Sequence, residues 1–93
     1  MKKYTIFAPG IDSVQAVNMT FVLFDNFTIG RSFGLIGGVQ RKFIVVTIFA
    51  NVEAAGKVAD LRDKFAALSG ETTTAVVEDI TILSIVPNPG RDR

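Results

Sequence analysis

The stretch from Phe27 to Ala50, FTIGRSFGLIGGVQRKFIVVTIFA, decides the fold that we predict for this chain. It contains two apolar runs separated by the pair Gly37-Gly38. This pattern is typical of a β-hairpin, because both central turn residues can take a positive φ without a Cβ clash. The second run, FIVVTIFA, is apolar at both alternating sets of positions. A strand with two apolar faces is covered on both sides, so we expect it in the middle of a sheet or against a partner.

The composition predicts one small domain that associates with itself. The chain has 93 residues, of which 48% are hydrophobic, and a domain of this size has too little interior to bury so much apolar surface. We therefore expect a homo-oligomer, with a monomer of unusually apolar surface as the alternative. We expect one domain over residues 1–86, followed by a tail at 87–93 that is mobile or rests on a neighbouring subunit.

Charge and residue usage exclude several classes of function. Ten Lys and Arg residues against nine Asp and Glu give a net charge of +1, without the concentrated basic face of a nucleic-acid-binding protein. No apolar run approaches the roughly 20 residues of a membrane helix. We therefore expect a cytoplasmic protein with neither nucleic acid nor membrane as a partner.

The absence of His and Cys limits the chemistry that the chain can perform. It removes Ser-His and Cys-His nucleophiles and the common zinc sites, so we expect no metal and no cofactor. Any acid–base work falls to Asp, Glu, Lys or the single tyrosine, Tyr4.

A predicted first strand, residues 3–8, is followed by a predicted helix with an apolar face. Asp12 lies three residues before Gln15, which is the spacing of a capping box. From there apolar residues recur at the spacing of one helical face; they are Val14, Val17, Phe21 and Phe24. Residues 20–24 are also good strand formers, so a strand there is the competing interpretation within residues 13–25.

A second helix is predicted between Asn51, as its N-cap, and Gly70, at its C′ position. Its apolar face consists of Val58, Leu61, Phe65 and Leu68. Residues 72–86 then read as strand again, divided into TTTAVVE and ITILSIV. The order β-α-β-β-α-β predicts an α+β, ferredoxin-like fold, a four-stranded antiparallel sheet with both helices on one face. The third strand implies that the open face is covered, most simply by another copy.

The glycines of the hairpin make its basic part a candidate binding site. Gly30, Arg31 and Ser32, with Arg41 and Lys42 close by, lie where backbone N–H groups can cradle a ligand such as a phosphate. The structural alternative is a β-bulge at Gly30 or Gly34, together with an ordinary two-residue turn.

Three polar residues outside the hairpin are further candidates. Glu71 lies between the second helix and the last strand, where it is a ligand contact or a surface charge. Glu78 lies in the last strand, where we expect an arginine such as Arg31 or Arg62 to pair with it if the carboxylate faces the sheet. Tyr4 is a hydrogen-bond donor in a cleft or an amphipathic edge residue.

The second half of the chain resembles a known family in its layout. A glycine-bearing β2, an apolar β3, a helix ending in ALSGE and a strand starting TTTAVV are similar to trimeric ferredoxin-like proteins of the PII type, including the small bacteriophage S-adenosylmethionine lyases. The tight Gly37-Gly38 turn departs from the long loop of PII signalling proteins. The resemblance implies a trimer that binds ATP-like or S-adenosylmethionine-like ligands between subunits, with Glu71 near the cleft.

Three functions follow from these patterns. The first, also implied by the resemblance, is binding of an adenosine-containing small molecule in clefts between subunits. The second, implied by the resemblance, is an S-adenosylmethionine lyase in which the substrate's own carboxylate attacks its γ-carbon. The enzyme then mainly holds the reacting conformer, with Glu71 or Glu78 on the substrate amine and with Glu71 and Tyr4 as the predicted catalytic residues. The third is an oligomeric adaptor that binds only proteins.

Overall fold

A computed structural model of the chain describes residues 1–79, in which four strands and two helices follow one another in the predicted order. The elements are β1 (Lys2–Pro9), α1 (Ser13–Phe21), β2 (Phe27–Ile36), β3 (Val39–Ala50), a short 3-10 helix (Val52–Ala54), α2 (Ala55–Ser69) and β4 (Thr74–Asp79). The predicted continuation ITILSIV, the domain end at residue 86 and the predicted mobile tail at 87–93 lie outside the described residues.

The four strands form one antiparallel sheet in the order β2-β3-β1-β4. The hairpin β2–β3 is paired residue for residue, from Phe27 opposite Ile48 to Ile36 opposite Val39. β1 lies between β3 and β4 and pairs with both. This order with two helical crossovers is the ferredoxin-like fold, which confirms the predicted class.

The core lies between the helices and one face of the sheet. Alternate residues of β1 and β3 point into it, and α2 covers them with Val58, Leu61 and Phe65. The buried strand residues are Tyr4, Ile6, Ala8, Ile44, Val46 and Ile48. The predicted face of α2 is confirmed at its first three positions, but Leu68 is 53% exposed. Leu68 lies in the last turn of α2, one residue before the helix ends.

α1 is a helix, as predicted, but the predicted buried face is wrong. Its capping box is confirmed, since Gln15 N–H donates to Asp12 Oδ1 at 2.8 Å and Asp12 N–H donates to Gln15 Oε1 at 3.2 Å. Val14 and Phe21 are each 69% exposed and Val17 is 41% exposed, whereas Phe24, which lies beyond the end of the helix, is buried as predicted. A second set of residues with the same spacing faces the sheet instead: Ala16 and Thr20 are buried and Met19 and Leu23 are partly buried. Small side chains on this side let the helix approach the sheet closely.

The turn and the helix ends agree with local sequence rules at three of four positions. Gly37 and Gly38 have φ of 60° and 79°, as a primed turn requires. Gly70 closes α2 at φ 72°, and its N–H donates to the Ala66 carbonyl at 2.8 Å. The predicted capping by Asn51 is wrong, because its side chain makes no capping hydrogen bond and a 3-10 helix separates it from α2.

Candidate functional site

The face of the sheet opposite the helices carries an apolar groove, which we call the open-face groove. It has a volume of about 380 Å³ and is lined in part by Phe7, Pro9, Gly34, Phe43 and Thr74. Phe7 and Phe43 meet edge to face, with ring centroids 6.0 Å apart. The floor of the groove is therefore aromatic, and aromatic rings accept another flat ring by stacking or edge contact.

Gly34 is needed for the shape of this groove. A Cβ atom on Gly34 would lie 2.9 Å from Cε1 of Phe43, which is closer than real contacts allow. The Phe43 ring therefore lies against the β2 backbone only because residue 34 has no side chain. This glycine belongs to a close approach and not to a bulge.

A charged pair lies at the end of the open-face groove. Arg41, in β3, donates from both of its terminal nitrogens to the carboxylate of Glu71, with Nη2 to Oε2 at 2.6 Å. Arg41 is opposite Gly34 in the hairpin, and Glu71 precedes Thr72, another lining residue of the groove. The side chains are 34% and 28% exposed, so the pair is open to solvent and to a ligand.

The loop that carries Glu71 is held by a local hydrogen bond and packs closely against Gly10. Glu71 N–H donates to Ser69 Oγ at 3.1 Å. A Cβ on Gly10, which has φ 77°, would lie 2.7 Å from Glu71 Oε2. Only glycine fits at position 10, both for its backbone angle and for the space beside the carboxylate.

The electrostatics of the pair favour the charged forms of both groups. The hydrogen bonds from Arg41 hold the pKa of Glu71 below its ordinary value, against a smaller opposing effect of burial. The hydrogen bond and charge of Glu71 raise the pKa of Arg41 further. At neutral pH the groove therefore ends in a planar fork of guanidinium and carboxylate, which can contact an anionic or a cationic ligand group respectively.

The structure brings some of the predicted site residues to the same face and separates others. Gly30 and Ser32 lie on the open face of the edge strand β2, and Gly30 has nothing within 4 Å of where a Cβ would be. The predicted bulge alternative is wrong, since the hairpin register is continuous. Arg31 points to the helical side, where its Nε donates to Ser13 Oγ at 3.2 Å. It therefore ties β2 to the start of α1.

Glu78 lies on the open face at the opposite edge of the sheet, in β4. Its carboxylate is exposed and 3.9 Å from Nζ of Lys3 on the neighbouring strand. The expected partners, Arg31 and Arg62, are engaged elsewhere, because Arg62 contacts Asp63 at 3.1 Å. Glu71 and Glu78 therefore lie at opposite ends of β4, with different cations.

Tyr4 is in the core, so the predicted edge position is wrong. It is 3% exposed, on a central strand, and its hydroxyl donates to the Asn51 carbonyl at 2.8 Å. This places it on the helical side of the sheet, near the β3 end that is distant from Glu71. The structure does not bring the two predicted catalytic residues together.

Arg41 is the site residue that the sequence did not single out as a partner of Glu71. The two residues are separated by 30 positions, and no local spacing rule joins them. The sequence contained only an indirect indication of this pair. Arg41 lies near the glycine-rich turn of the hairpin, and its strand, β3, passes the loop that follows α2.

Residues 1–79, which the structure describes, contain neither a candidate membrane helix nor a candidate metal cluster. Within residues 1–79, no helix is both long enough and apolar enough to cross a membrane. The same residues contain no group of three or more His, Cys, Asp or Glu side chains placed to hold a metal ion.

Comparison with known proteins gives a structural relative and no sequence relative. No protein-family model matches the chain. No curated protein matches its sequence. Its structure is similar to the crystal structure of a DUF3240 family protein from Shewanella baltica OS155, with a TM-score of 0.68 and 11% identity over 85% of this chain and 89% of that chain. The likeness shows the fold alone, and the resemblance to PII-type proteins stays a prediction.

Proposed function

We propose that this chain is a homo-oligomeric binding protein for a small molecule with a flat ring and a charged group. The open-face groove takes the ring, and the Arg41–Glu71 pair takes the charged group. Adenosine-containing molecules such as ATP or S-adenosylmethionine have this chemistry. The observation that carries the proposal is the bidentate ion pair at the end of an aromatic groove.

The groove is suited to a ligand of this kind in size and polarity. Its volume of about 380 Å³ lies within the range of small-molecule sites, which are mostly apolar with a few polar groups that fix orientation. Phe7 and Phe43 provide the apolar surface, and Gly34 leaves room for the Phe43 ring against the β2 backbone. A ring bound on the apolar floor would exclude water from the groove and strengthen the charged contacts.

Binding is better supported than the lyase reaction. In that reaction a carboxylate must hold the substrate's amine. Both oxygens of Glu71 accept hydrogen bonds from Arg41, so a substrate ammonium must share this carboxylate or displace the guanidinium. Glu78, the other candidate, is exposed at the far end of β4 beside Lys3.

Thermal melting with defined ligands tests the proposal. The protein is titrated with ATP, S-adenosylmethionine, adenosine and methionine, and products are followed by chromatography. A ligand at 100 times its Kd stabilises the native state by about 2.7 kcal/mol, which is a clear rise in Tm. We expect ATP or S-adenosylmethionine to raise the Tm without turnover. Cleavage of S-adenosylmethionine would select the lyase, and no shift with any probe would leave the protein-binding adaptor.

Matched variants locate the site. Arg41→Gln removes the guanidinium, and we expect the affinity of the active ligand to fall roughly tenfold to a hundredfold, as for a lost charge-assisted hydrogen bond. Lys42→Gln is the control, because it removes the next cation of β3 on the other face of the strand. Equal losses in both variants would show a general charge effect and contradict a site at Arg41.

A further inference from the structure

The end of the hairpin projects beyond the rest of the sheet. β1 stops opposite Phe43, so residues 33–42, which we call the hairpin arm, have no β1 neighbour. Three large apolar side chains of the arm, from both faces of the hairpin, are exposed: Leu35 is 75% exposed, and Phe33 and Val39 are more than half exposed. Exposed apolar side chains that lie close together in this way are typical of an interaction surface.

The opposite end of the sheet carries a cleft, which we call the end cleft. It has a volume of about 430 Å³ and lies between the α1–β2 loop and the start of the 3-10 helix. Leu23, Phe24 and Phe49 give it apolar walls, and Phe49 N–H donates to the Asn26 carbonyl at 3.2 Å, which holds the walls together. Its exposed lining is more polar than apolar, so the cleft suits an inserted arm that carries both apolar and charged side chains.

The charges of the arm and the end cleft are complementary. Residues 33–42 include two cations and no carboxylate. One of the cations, Arg41, is paired with Glu71, which leaves Lys42 for a contact with another copy. Lys42 lies 5.9 Å from the centre of the Phe33 ring, and within residues 1–79 it forms no ion pair. The end cleft is lined by Asp25 and Glu53 against one cation, Lys57. Neither carboxylate has an ion-pair partner in that same part of the chain.

The arm cannot reach the end cleft of its own chain. The two features lie at opposite ends of β3, and the ten residue-to-residue steps from Val39 to Phe49 span about 33 Å of extended strand. The molecule measures 49 × 26 × 21 Å, so the two ends are separated along its long axis. A projecting surface and its complement at opposite ends of one chain form a head-to-tail contact between copies. Such a contact gives a ring if the rotation between neighbours closes, and an open filament if it does not.

We infer that the hairpin arm of one copy docks into the end cleft of the next, and that this contact builds the homo-oligomer. Phe33 and Val39 enter beside Phe24 and Phe49, and Lys42 meets Glu53 or Asp25. The inference rests on the self-association in the proposed function and specifies its surface. It does not involve the Arg41–Glu71 pair, so ligand binding and assembly can fail separately.

Sedimentation with two complementary variants tests the docking. Val39→Asp disables the arm, and Asp25→Arg with Glu53→Arg disables the cleft. We expect the wild type to sediment at a multiple of the 10.1 kDa chain mass, and each variant to associate at least tenfold more weakly. An equimolar mixture of the two variants has one intact arm and one intact cleft, so it should form a heterodimer.

Controls separate docking from misfolding and from other contacts. Val14→Asp, on the exposed side of α1, introduces the same charge at an equally exposed valine and should leave assembly unchanged. Circular dichroism verifies the fold, and Phe33→Ser replaces Val39→Asp if that variant unfolds. A monomeric wild type, an arm variant that assembles normally, or a mixture that stays monomeric would each overturn the inference. The ligand-induced rise in Tm, measured on the same variants, reports on the groove independently.

Discussion

The role of a polar residue in this protein depends on which groups its polar atoms contact. Glu71 is held by Arg41 and by the Ser69 hydroxyl, at a position where only glycine fits beside it. Tyr4 sends its hydroxyl to the carbonyl of Asn51 from within the core. Both residues were candidates for chemistry on the same grounds of residue type. Their surroundings give Glu71 a place at an accessible groove and Tyr4 a structural hydrogen bond.

The ion pair makes the stability of the native state depend on pH. The folded-state pKa of Glu71 lies below its unfolded value, so its contribution is present above the unfolded pKa, about 4.3, and is lost as the pH falls through the folded pKa. We expect the stability difference between the wild type and Glu71→Gln to favour the wild type at neutral pH and to shrink below about pH 4. Urea unfolding of both proteins at several pH values measures this difference in the free energy of unfolding. Asp60→Asn, which removes an exposed carboxylate outside the groove and the end cleft, is the control. A difference that does not vary with pH would contradict the role of the charge.

Tyr4→Phe tests the structural role of that hydroxyl. The change leaves the Asn51 carbonyl without its donor, which costs about 0.5–1.5 kcal/mol of unfolding free energy. We expect a lower Tm and an unchanged ligand-induced shift. A variant with wild-type stability that no longer responds to the ligand would support the predicted catalytic or binding role of Tyr4 instead.

The sequence predicted the hairpin and the helices well, because their turns and ends obey local rules. It predicted less well which face of a helix is buried. The hairpin depends on two glycines with positive φ, and α1 begins with a complete capping box. The helix nevertheless buries Ala16 and Thr20 and leaves Val14 and Phe21 exposed. Both sets have helical spacing, so periodicity alone identified the helix but not the side that meets the sheet.

The turn of the hairpin gives the prediction at this scale. Replacing both Gly37 and Gly38 with Val puts a β-branched residue at φ 60° and φ 79°, at a cost of at least about 1–2 kcal/mol per position. We expect a clear loss of stability by thermal melting and of hairpin signal by circular dichroism. Gly30→Val is the control, since position 30 has open space and no positive φ. It should be neutral or stabilising, whereas two neutral turn substitutions would place the turn elsewhere.

At the scale of the whole molecule, the buried surface is concentrated on one side of the sheet. α2 attaches through Val58, Leu61 and Phe65, and the last two are fully buried. The opposite face, the arm and α1 retain exposed apolar side chains. Those of the arm are the physical basis of the proposed assembly. A small domain with one covered face has few contacts to spare, so loss of a single large core side chain is a substantial part of its stability.

Truncating side chains of α2 measures how much one core side chain contributes to the free energy of unfolding. Phe65→Ala removes a fully buried ring, and we expect the unfolding free energy to fall by about 3–5 kcal/mol. Leu68→Ala, three residues further along the same helix and half exposed, should change it by less than about 0.5 kcal/mol. Urea denaturation of both variants gives the comparison. Similar costs at the two positions would mean that α2 is rotated relative to the sheet.

The sequence by itself determined the order of the elements, the hairpin turn, the capping box of α1 and the end of α2. These features depend on the backbone angles and hydrogen bonds of residues that are close in the chain, which residue type and spacing specify. Only the tertiary structure decided which side of α1 is buried, that Tyr4 is in the core, and that Arg41 meets Glu71 across 30 residues. Those outcomes depend on how separate elements compete for the same sheet surface, and no spacing within one element contains that information.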